Sequence, residues 1–181
     1  DCYGWLKLDA RGIWCLKDQR ISNQKVIDFI GRNFHKSEAG SYFFQNGPQR
    51  VHIELVTSPF VVFVPEVQYV KSVFENQLGE RVSAIREVAI TPEGSVYLGA
   101  DSGCCSVDDR SLSAFLALLV DGAGIQLSEQ ALNESLELVL QGQVSGVFLP
   151  VTDGLLEIVP LASEDVESHF GFLRVPSELL S

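Results

Sequence analysis

Four residues in the first third of the chain have side chains that can bind an anion: Lys17, Arg20, Ser22 and Arg50. The first three lie in the polar segment "KDQRIS", directly before a stretch that is predicted to be helical. The free amides and the positive dipole end of a helix N-terminus attract carboxylates and phosphates. Arg50 can approach them if its hairpin packs beside the first strands. The sequence therefore predicts a site for a small anionic ligand, with solvated loop charges as the alternative.

The cysteines and histidines are the other residues that could do chemistry. Zinc needs four converging nitrogen or sulfur ligands, and the three histidines and four cysteines show no close ligand spacing. No nucleophile elbow, zinc-protease motif or phosphate loop occurs. We therefore predict no metal, no cofactor and no catalytic residue. The enzymatic alternative is a dispersed site that uses Cys104, in a glycine-flanked bend, or His52, since such residues meet in space.

Charge is distributed unevenly along the chain, whose formal net charge is −11. Residues 1–90 carry 11 basic and 10 acidic side chains, whereas residues 91–181 carry 2 basic and 14 acidic ones. A strongly acidic half repels phosphate backbones, which argues against nucleic-acid binding. The excess acid predicts either solubility alone or a dock for a basic protein partner.

Apolar runs and cysteine usage indicate the compartment. The longest apolar runs fall far short of the ~20 residues that cross a bilayer, so no membrane association is predicted. Few cysteines at irregular spacing are typical of a reduced, cytoplasmic protein.

Three helices are predicted from apolar spacing and capping residues, and a short fourth helix is predicted in "SEDVESHF" (163–170). The first covers residues 23–34 with Ser22 as its N-cap, because a serine hydroxyl can accept from a free amide in the first turn. The second begins at Ser106, where "SVDD" matches a capping box. The third covers residues 128–142 and ends at Gly142.

The remaining apolar segments are short and alternate with polar residues, as in half-buried strands. Asn46 and Gly47 predict a hairpin turn, and Pro48, which lacks an amide, predicts a loop of more than two residues. A second hairpin is predicted across residues 67–90. Together with the helices, these strands indicate an α+β fold of mainly antiparallel sheets.

A weak internal repeat suggests duplication. "GIWCL" (12–16) and "GSVYL" (94–98) lie 82 residues apart, and each precedes a polar bend and a predicted helix. Such a repeat can mark a duplicated supersecondary unit, with chance similarity as the alternative. We predict two units, an N-terminal α+β unit over residues 1–66 and an acidic C-terminal α+β unit over residues 67–181.

The segment "DARGIWCLKDQRISNQKVIDFI", followed by "YFFQNGPQRVHIELVTSPFVV", resembles an uncharacterised proteobacterial family of unknown function. The resemblance implies two α+β units, each a curved or partial-barrel sheet packed with a helix. It also implies a role in bacterial signalling, and it supplies no catalytic residues to transfer. Residues 123–181 depart from the family pattern.

The expected function is a non-enzymatic ligand-binding or regulatory module. The alternatives are the small enzyme described above and a protein-interaction scaffold that pairs strands through an exposed edge such as "FVVFV". The sequence leaves the oligomeric state open.

Overall fold

A computed structural model of the chain describes residues 1–64, 74–144 and 146–177, and it shows an α+β fold with two sheets. The six-stranded sheet consists of β1 (Cys2–Leu8), β2 (Trp14–Leu16), β3 (Gln19–Arg20), β4 (Phe34–Lys36), β5 (Tyr42–Asn46) and β6 (Gln49–Leu55). The eight-stranded sheet consists of β7 (Phe60–Phe63), β8 (Phe74–Asn76), β9 (Arg81–Val82), β10 (Ile85–Ile90), β11 (Val96–Ala100), β12 (Gly103–Val107), β13 (Phe148–Val151) and β14 (Gly154–Pro160). The α-helices are α1 (Gln24–Arg32), α2 (Leu112–Leu116), α3 (Glu129–Leu140) and α4 (Val166–Phe170).

Strand order places distant segments side by side. The first sheet runs β3-β2-β1-β6-β5-β4, and the second runs β13-β14-β10-β11-β12-β7-β8-β9. Among the described strands, the pairs β1–β6, β10–β14 and β12–β7 are parallel and the other pairs are antiparallel. The prediction of an α+β fold with mainly antiparallel sheets is confirmed.

One hydrophobic core connects the two sheets. Inward-facing leucines of β1 pack with Ile53 and Leu55 of β6, and the same cluster continues through β7 to Leu98 and Phe115. Because β7 pairs with β12, residues before position 65 contribute a strand to the second sheet. The predicted unit boundary between residues 66 and 67 lies outside the described part of the chain.

Helix α1 begins one residue later than the sequence predicts. The N-cap is Asn23, whose Oδ1 accepts a hydrogen bond from the Lys25 amide at 3.0 Å. The prediction of Ser22 as the cap was wrong, because Asn23 has the extended backbone of a cap and its amide oxygen reaches the first turn. For α3, the prediction is confirmed at both ends. Ser128 accepts from the Ala131 amide, and Gly142 follows the helix with a φ of +80°.

The predicted capping role of Ser106 was wrong. Ser106 lies within β12, which has β11 on one side and β7 on the other. Its Oγ lies 2.9 Å from the hydroxyl oxygens of both Thr57 and Ser58. The chain turns into a helix only after Asp108, through a short 3₁₀ turn. Pairing on both sides therefore extends the strand through Ser106 and Val107, the first two residues of the apparent capping box.

The hairpin at Asn46 and Gly47 is confirmed, but its loop is shorter than predicted. Asn46 pairs with Gln49, so the loop contains only Gly47 and Pro48. Gly47 takes a φ of +58°, which a first loop residue needs in a primed hairpin turn. Pro48 has no amide hydrogen, and it fits the second loop position because Asn46 and Gln49, which flank the loop, are the residues that pair.

The second predicted hairpin is only partly within the described residues, because residues 67–73 lie outside them. In the remaining part, β8 pairs with β9. β10 pairs instead with β11 and β14, so the predicted single hairpin across residues 67–90 was wrong in its second half.

The internal repeat corresponds to a repeated topology. In each half, three antiparallel strands and a helix precede a hairpin whose last strand pairs in parallel with the first strand. The turns that match at an offset of 82 also share hydrogen bonds: Gly12 donates to the Asp9 carbonyl, and Gly94 donates to the Thr91 carbonyl. The second half is longer because α3 lies between its helix α2 and its hairpin.

The cap of α1 leads to a stability prediction. Asn23→Ala is expected to lower the free energy of unfolding by about 1 kcal/mol, since it leaves a first-turn amide without its partner. Ser22→Ala is the matched control and is expected to be close to neutral. Urea unfolding followed by circular dichroism measures both values. A larger loss for Ser22→Ala than for Asn23→Ala would contradict the assignment of the cap.

Candidate functional site

A cavity of about 570 Å³ lies at the β4–β5 turn and the neighbouring part of β6. Its lining residues are Asp1, Lys36, Ser37, Glu38, Ala39, Phe43, Arg50 and His52, and we name it the anion cavity. Phe43 of β5 pairs directly with His52 of β6. Arg50 lies two residues before His52, so their side chains share one face of the strand. The Asn-Gly hairpin therefore brings the aromatic and basic side chains together.

The two cationic side chains of the anion cavity, Lys36 and Arg50, lie near aromatic rings. The Arg50 guanidinium carbon lies 5.1 Å from the centroid of the Phe43 ring, and Lys36 Nζ lies 5.9 Å from the centroid of Tyr42. Such contacts hold a cation in place without neutralising its charge. Within the described parts of the chain, neither side chain forms an ion pair with a carboxylate. Both cations thus remain available to an anionic ligand.

His52 forms the inner wall of the anion cavity and is only 3% exposed. The ring of Tyr3 stacks on it at 4.4 Å, and its Nδ1 lies 3.3 Å from the hydroxyl of Ser41. Burial lowers the pKa of His52, and the nearby positive charges of the N-terminal ammonium and of Arg50 lower that pKa further. His52 is therefore neutral at neutral pH and contributes hydrogen bonding through one tautomer.

The lowered pKa of His52 predicts a pH dependence of stability. Because the unfolded chain binds this proton more readily, stability falls as the pH drops from about 6.5 towards the pKa of the folded state. We expect wild type to lose more thermal stability than His52→Gln over this range. Parallel melting curves measure the difference. Identical pH dependence in the two proteins would contradict the prediction.

The structure divides the four predicted anion-binding residues between two places. Lys17 belongs to the two-residue turn between β2 and β3, and its Nζ lies 3.7 Å from the centroid of the Trp5 ring. Arg20 lies in the edge strand β3, and Ser22 is exposed before α1. Arg50 lies in β6, with β2 and β1 between its strand and β3. Anion binding at Lys17, Arg20 and Ser22 stays a prediction, and Arg50 belongs to the anion cavity.

The sequence analysis did not predict that Lys36 and Phe43 line the same cavity as Arg50. For Phe43 the sequence contained a signal, because a two-residue hairpin loop at Gly47 and Pro48 sets Phe43 opposite His52. Lys36 had no comparable signal. Its position depends on the pairing of β4 with β5 after the intervening turn.

Cys104, the cysteine proposed for the enzymatic alternative, lies in the core together with its neighbour Cys105. Cys104 and Cys105 belong to β12 and are 3% and 0% exposed, so the predicted bend at Cys104 was wrong. Burial raises the pKa of Cys105 to about 12 and that of Cys104 well above its usual value. A protonated thiol is a poor nucleophile. In the described part of the chain, no group of three or more histidine, cysteine or acidic side chains is arranged to hold a metal.

Comparison with known proteins identifies the family. The family model DUF2944, described as "Protein of unknown function (DUF2946)", matches residues 1–177. The chain belongs to this family. Comparison with curated proteins finds no match. No helix within the described ranges has the length and apolar character to cross a membrane.

Two solved structures of DUF1285 family proteins are similar to the chain. The protein from Silicibacter pomeroyi DSS-3 is 16% identical with a TM-score of 0.55, and the match covers 90% of this chain and 82% of that protein. The protein from Shewanella baltica OS155 is 17% identical with a TM-score of 0.47, covering 61% of this chain and 89% of that protein. The similarity to the Silicibacter pomeroyi protein is a similarity of fold. The predicted resemblance to an uncharacterised proteobacterial family is confirmed.

Proposed function

We propose that this protein is a non-enzymatic module that binds a small anion in the anion cavity. The observation that carries the proposal is the pair of cations, Lys36 and Arg50, which line one cavity without a carboxylate partner among the described residues. Arg50 lies over Phe43 with its guanidinium carbon 5.1 Å from the ring centroid, and a guanidinium can form a bidentate contact with a carboxylate or phosphate. The ligand replaces the missing partner.

The internal repeat supports this proposal. In the second hairpin Phe148 pairs with Glu157, as Phe43 pairs with His52 in the first hairpin. The residue that corresponds to Arg50 is Leu155. The same hairpin therefore forms with a leucine and a glutamate at these positions. Folding of this topology therefore does not require Arg50 and His52 at these positions, which favours a role for Arg50 in binding.

The charge of the cavity lining limits the kind of recognition. Among the lining side chains, the carboxylates of Asp1 and Glu38 equal in number the cations of Lys36 and Arg50, because His52 is neutral. Recognition of an anion therefore depends on direct contacts with Arg50 and Lys36. Such charge-assisted hydrogen bonds contribute about 1.5–3 kcal/mol each.

The proposal is tested by titrating phosphate and succinate at constant ionic strength and measuring thermal stabilisation. Arg50→Gln is expected to weaken binding about tenfold or more, as the loss of one charge-assisted bond predicts. The matched control is the double variant Lys17→Gln/Arg20→Gln, which removes two cations outside the cavity. Equal stabilisation of wild type and Arg50→Gln would overturn the proposal. A loss in the double variant alone would place the site at the β2–β3 turn.

The setting proposed for this module is bacterial signalling in the cytoplasm, where ligand binding would have a regulatory effect. The four cysteines are free thiols, a state that is maintained in reducing compartments. Buried, protonated thiols at Cys104 and Cys105 favour this binding role over the dispersed cysteine enzyme.

A further inference from the structure

A chain of hydroxyl groups connects the buried ring of His52 to the lining of the anion cavity. Ser41 is 1% exposed, and its Oγ lies 3.3 Å from His52 Nδ1 and 2.7 Å from Ser37 Oγ. The Ser41 amide donates to Ser37 Oγ at 3.1 Å, which fixes the position of this second hydroxyl. Ser37 itself lines the cavity. Two hydroxyl groups in a row therefore join Nδ1 of the buried imidazole to the cavity.

The surroundings of the ring assign one tautomer to neutral His52. Nε2 lies 3.5 Å from the carboxylate oxygen Oδ1 of Asp1. This nitrogen therefore carries the proton, because a lone pair there would face negative charge. Nδ1 then accepts from the Ser41 hydroxyl, and Ser41 accepts from the Ser37 hydroxyl. Both hydroxyl hydrogens are directed along the chain towards the ring, so Ser37 has no hydrogen left for a ligand.

Protonation of His52 reverses this chain by rotating two hydroxyl hydrogens. A protonated imidazole donates from both nitrogens, so Nδ1 donates to the Ser41 hydroxyl. Ser41 then donates to Ser37 Oγ, and the Ser37 hydrogen turns towards the cavity. Every group in the chain keeps a hydrogen-bond partner in both states, because a hydroxyl can donate and accept. The buried ring can therefore take up a proton, and its uptake adds a donor to the cavity lining.

In the absence of an anion, burial and positive charge oppose that proton. Burial is the largest cause of the lowered pKa of His52, and the N-terminal ammonium and Arg50 lower it further. An anion in contact with Lys36 and Arg50 offsets positive charge at the cavity wall that His52 forms. A neighbouring negative charge favours the protonated form of a histidine by about tenfold or more. The other titratable groups on the elements around the ring are Asp1, Tyr3, His35, Glu38 and Glu54.

We propose that the anion cavity binds a fully ionised oxyanion together with one proton, which His52 takes up from solvent at Nδ1. The oxyanion contacts Lys36, Arg50 and the hydroxyl of Ser37. The inference rests on the proposed function for the anion and adds the proton and the Ser37 donor. Binding therefore strengthens as the pH falls through about 6.5, the range in which histidines titrate.

The test is isothermal titration of the whole chain with sulfate at about pH 7.5 and about pH 5.5, on either side of the ordinary histidine pKa, at constant ionic strength. Sulfate stays a dianion over this range, so the protein alone titrates. We expect about three- to tenfold tighter binding at the lower pH, because the anion favours protonated His52. Repeating each titration in two buffers with different ionisation enthalpies measures the protons taken up on binding. We expect net uptake.

Three variants assign the proton and the added donor. His52→Gln keeps a hydrogen-bonding side chain that does not titrate, and it is expected to bind sulfate without pH dependence or proton uptake. His35→Gln is the matched control, because His35 is an exposed histidine of β4 outside the cavity lining, and it is expected to behave as wild type does. Ser37→Ala is expected to reduce the gain in affinity at the lower pH.

The outcomes separate this inference from the proposed function. Sulfate binding to wild type with equal affinity at both pH values and without proton uptake would overturn the proton linkage and leave the anion module standing. Proton uptake that persists in His52→Gln would also overturn the linkage. No sulfate binding at either pH, or equal binding by wild type and Arg50→Gln, would overturn the proposed function as well. The measurements on wild type decide the linkage even if His52→Gln does not fold.

Discussion

Trp14→Ala is expected to lower the free energy of unfolding by about 3–5 kcal/mol, the cost of removing a large aromatic side chain from a packed core. Trp14 of β2 is 2% exposed, and its ring meets that of Phe34 edge to face at 5.8 Å. Since Phe34 also packs against Tyr42 and Phe60, a cavity here would disturb the contact between the two sheets. Chemical denaturation followed by circular dichroism measures the loss.

Trp5→Ala is the matched control for this prediction. Trp5 lies on the neighbouring strand β1 but is 50% exposed, and its described ring contact is with the ammonium of Lys17. Loss of that contact at an exposed site costs about 0.5–1 kcal/mol. Similar losses for Trp5→Ala and Trp14→Ala would contradict the assignment of Trp14 to the core.

The indole nitrogen of Trp14 adds a second measurement. Nε1 is buried and has no hydrogen-bond partner among the described residues, and such an unpaired donor costs about 1–3 kcal/mol. Trp14→Phe removes this donor and keeps an aromatic ring. We therefore expect it to be considerably more stable than Trp14→Ala.

Gly103→Ala is the second substitution with a large expected effect, about 2–6 kcal/mol of lost unfolding free energy. Gly103 follows the two-residue turn between β11 and β12 and has a φ of +125°. A Cβ there would lie 2.9 Å from the hydroxyl oxygen of Tyr42, a buried residue of the other sheet. The substitution therefore combines backbone strain with a clash between the sheets. Thermal and urea unfolding measure the loss.

Gly154→Ala separates these two contributions. Gly154 occupies the same position after the β13–β14 turn, with a φ of +142°, and a Cβ there would meet no atom of the described residues within 4 Å. Its substitution is expected to cost only the backbone strain, about 1–3 kcal/mol. Equal losses for Gly103→Ala and Gly154→Ala would show that the contact with Tyr42 adds nothing.

The two halves of the molecule share a topology but differ in the side chains of their hairpins. Both halves form a hairpin with a phenylalanine in its first strand, Phe43 and Phe148. Only the first half adds Arg50 and His52 beside that ring. In the second half, Leu155 and Glu157 occupy the corresponding positions, so the residues of the proposed anion site all lie in the first half.

Local signals in the sequence determined several elements of this protein. The α+β class, the hairpin at Gly47, the helix capped by Ser128 and the offset of 82 between Gly12 and Gly94 are all visible without the structure. The hairpin, the helix and each of the two matching turns depend on residues within a few positions of one another, through side-chain period, capping hydrogen bonds or positive φ. Such interactions form in the same way wherever the segment lies in the fold.

Tertiary structure decided the rest. Ser106 joins a strand because β7 and β11 pair on both sides of it, and Arg50 lies apart from Lys17 because β1 and β2 separate their strands. The C-terminal segment lies against the β4–β5 turn because the Leu173 amide donates to the Gly40 carbonyl. The predicted basic protein partner and the site at Lys17, Arg20 and Ser22 stay predictions. Strand order is set by burial of the whole core. Residues far apart in the chain therefore become neighbours in ways that no local sequence pattern predicts.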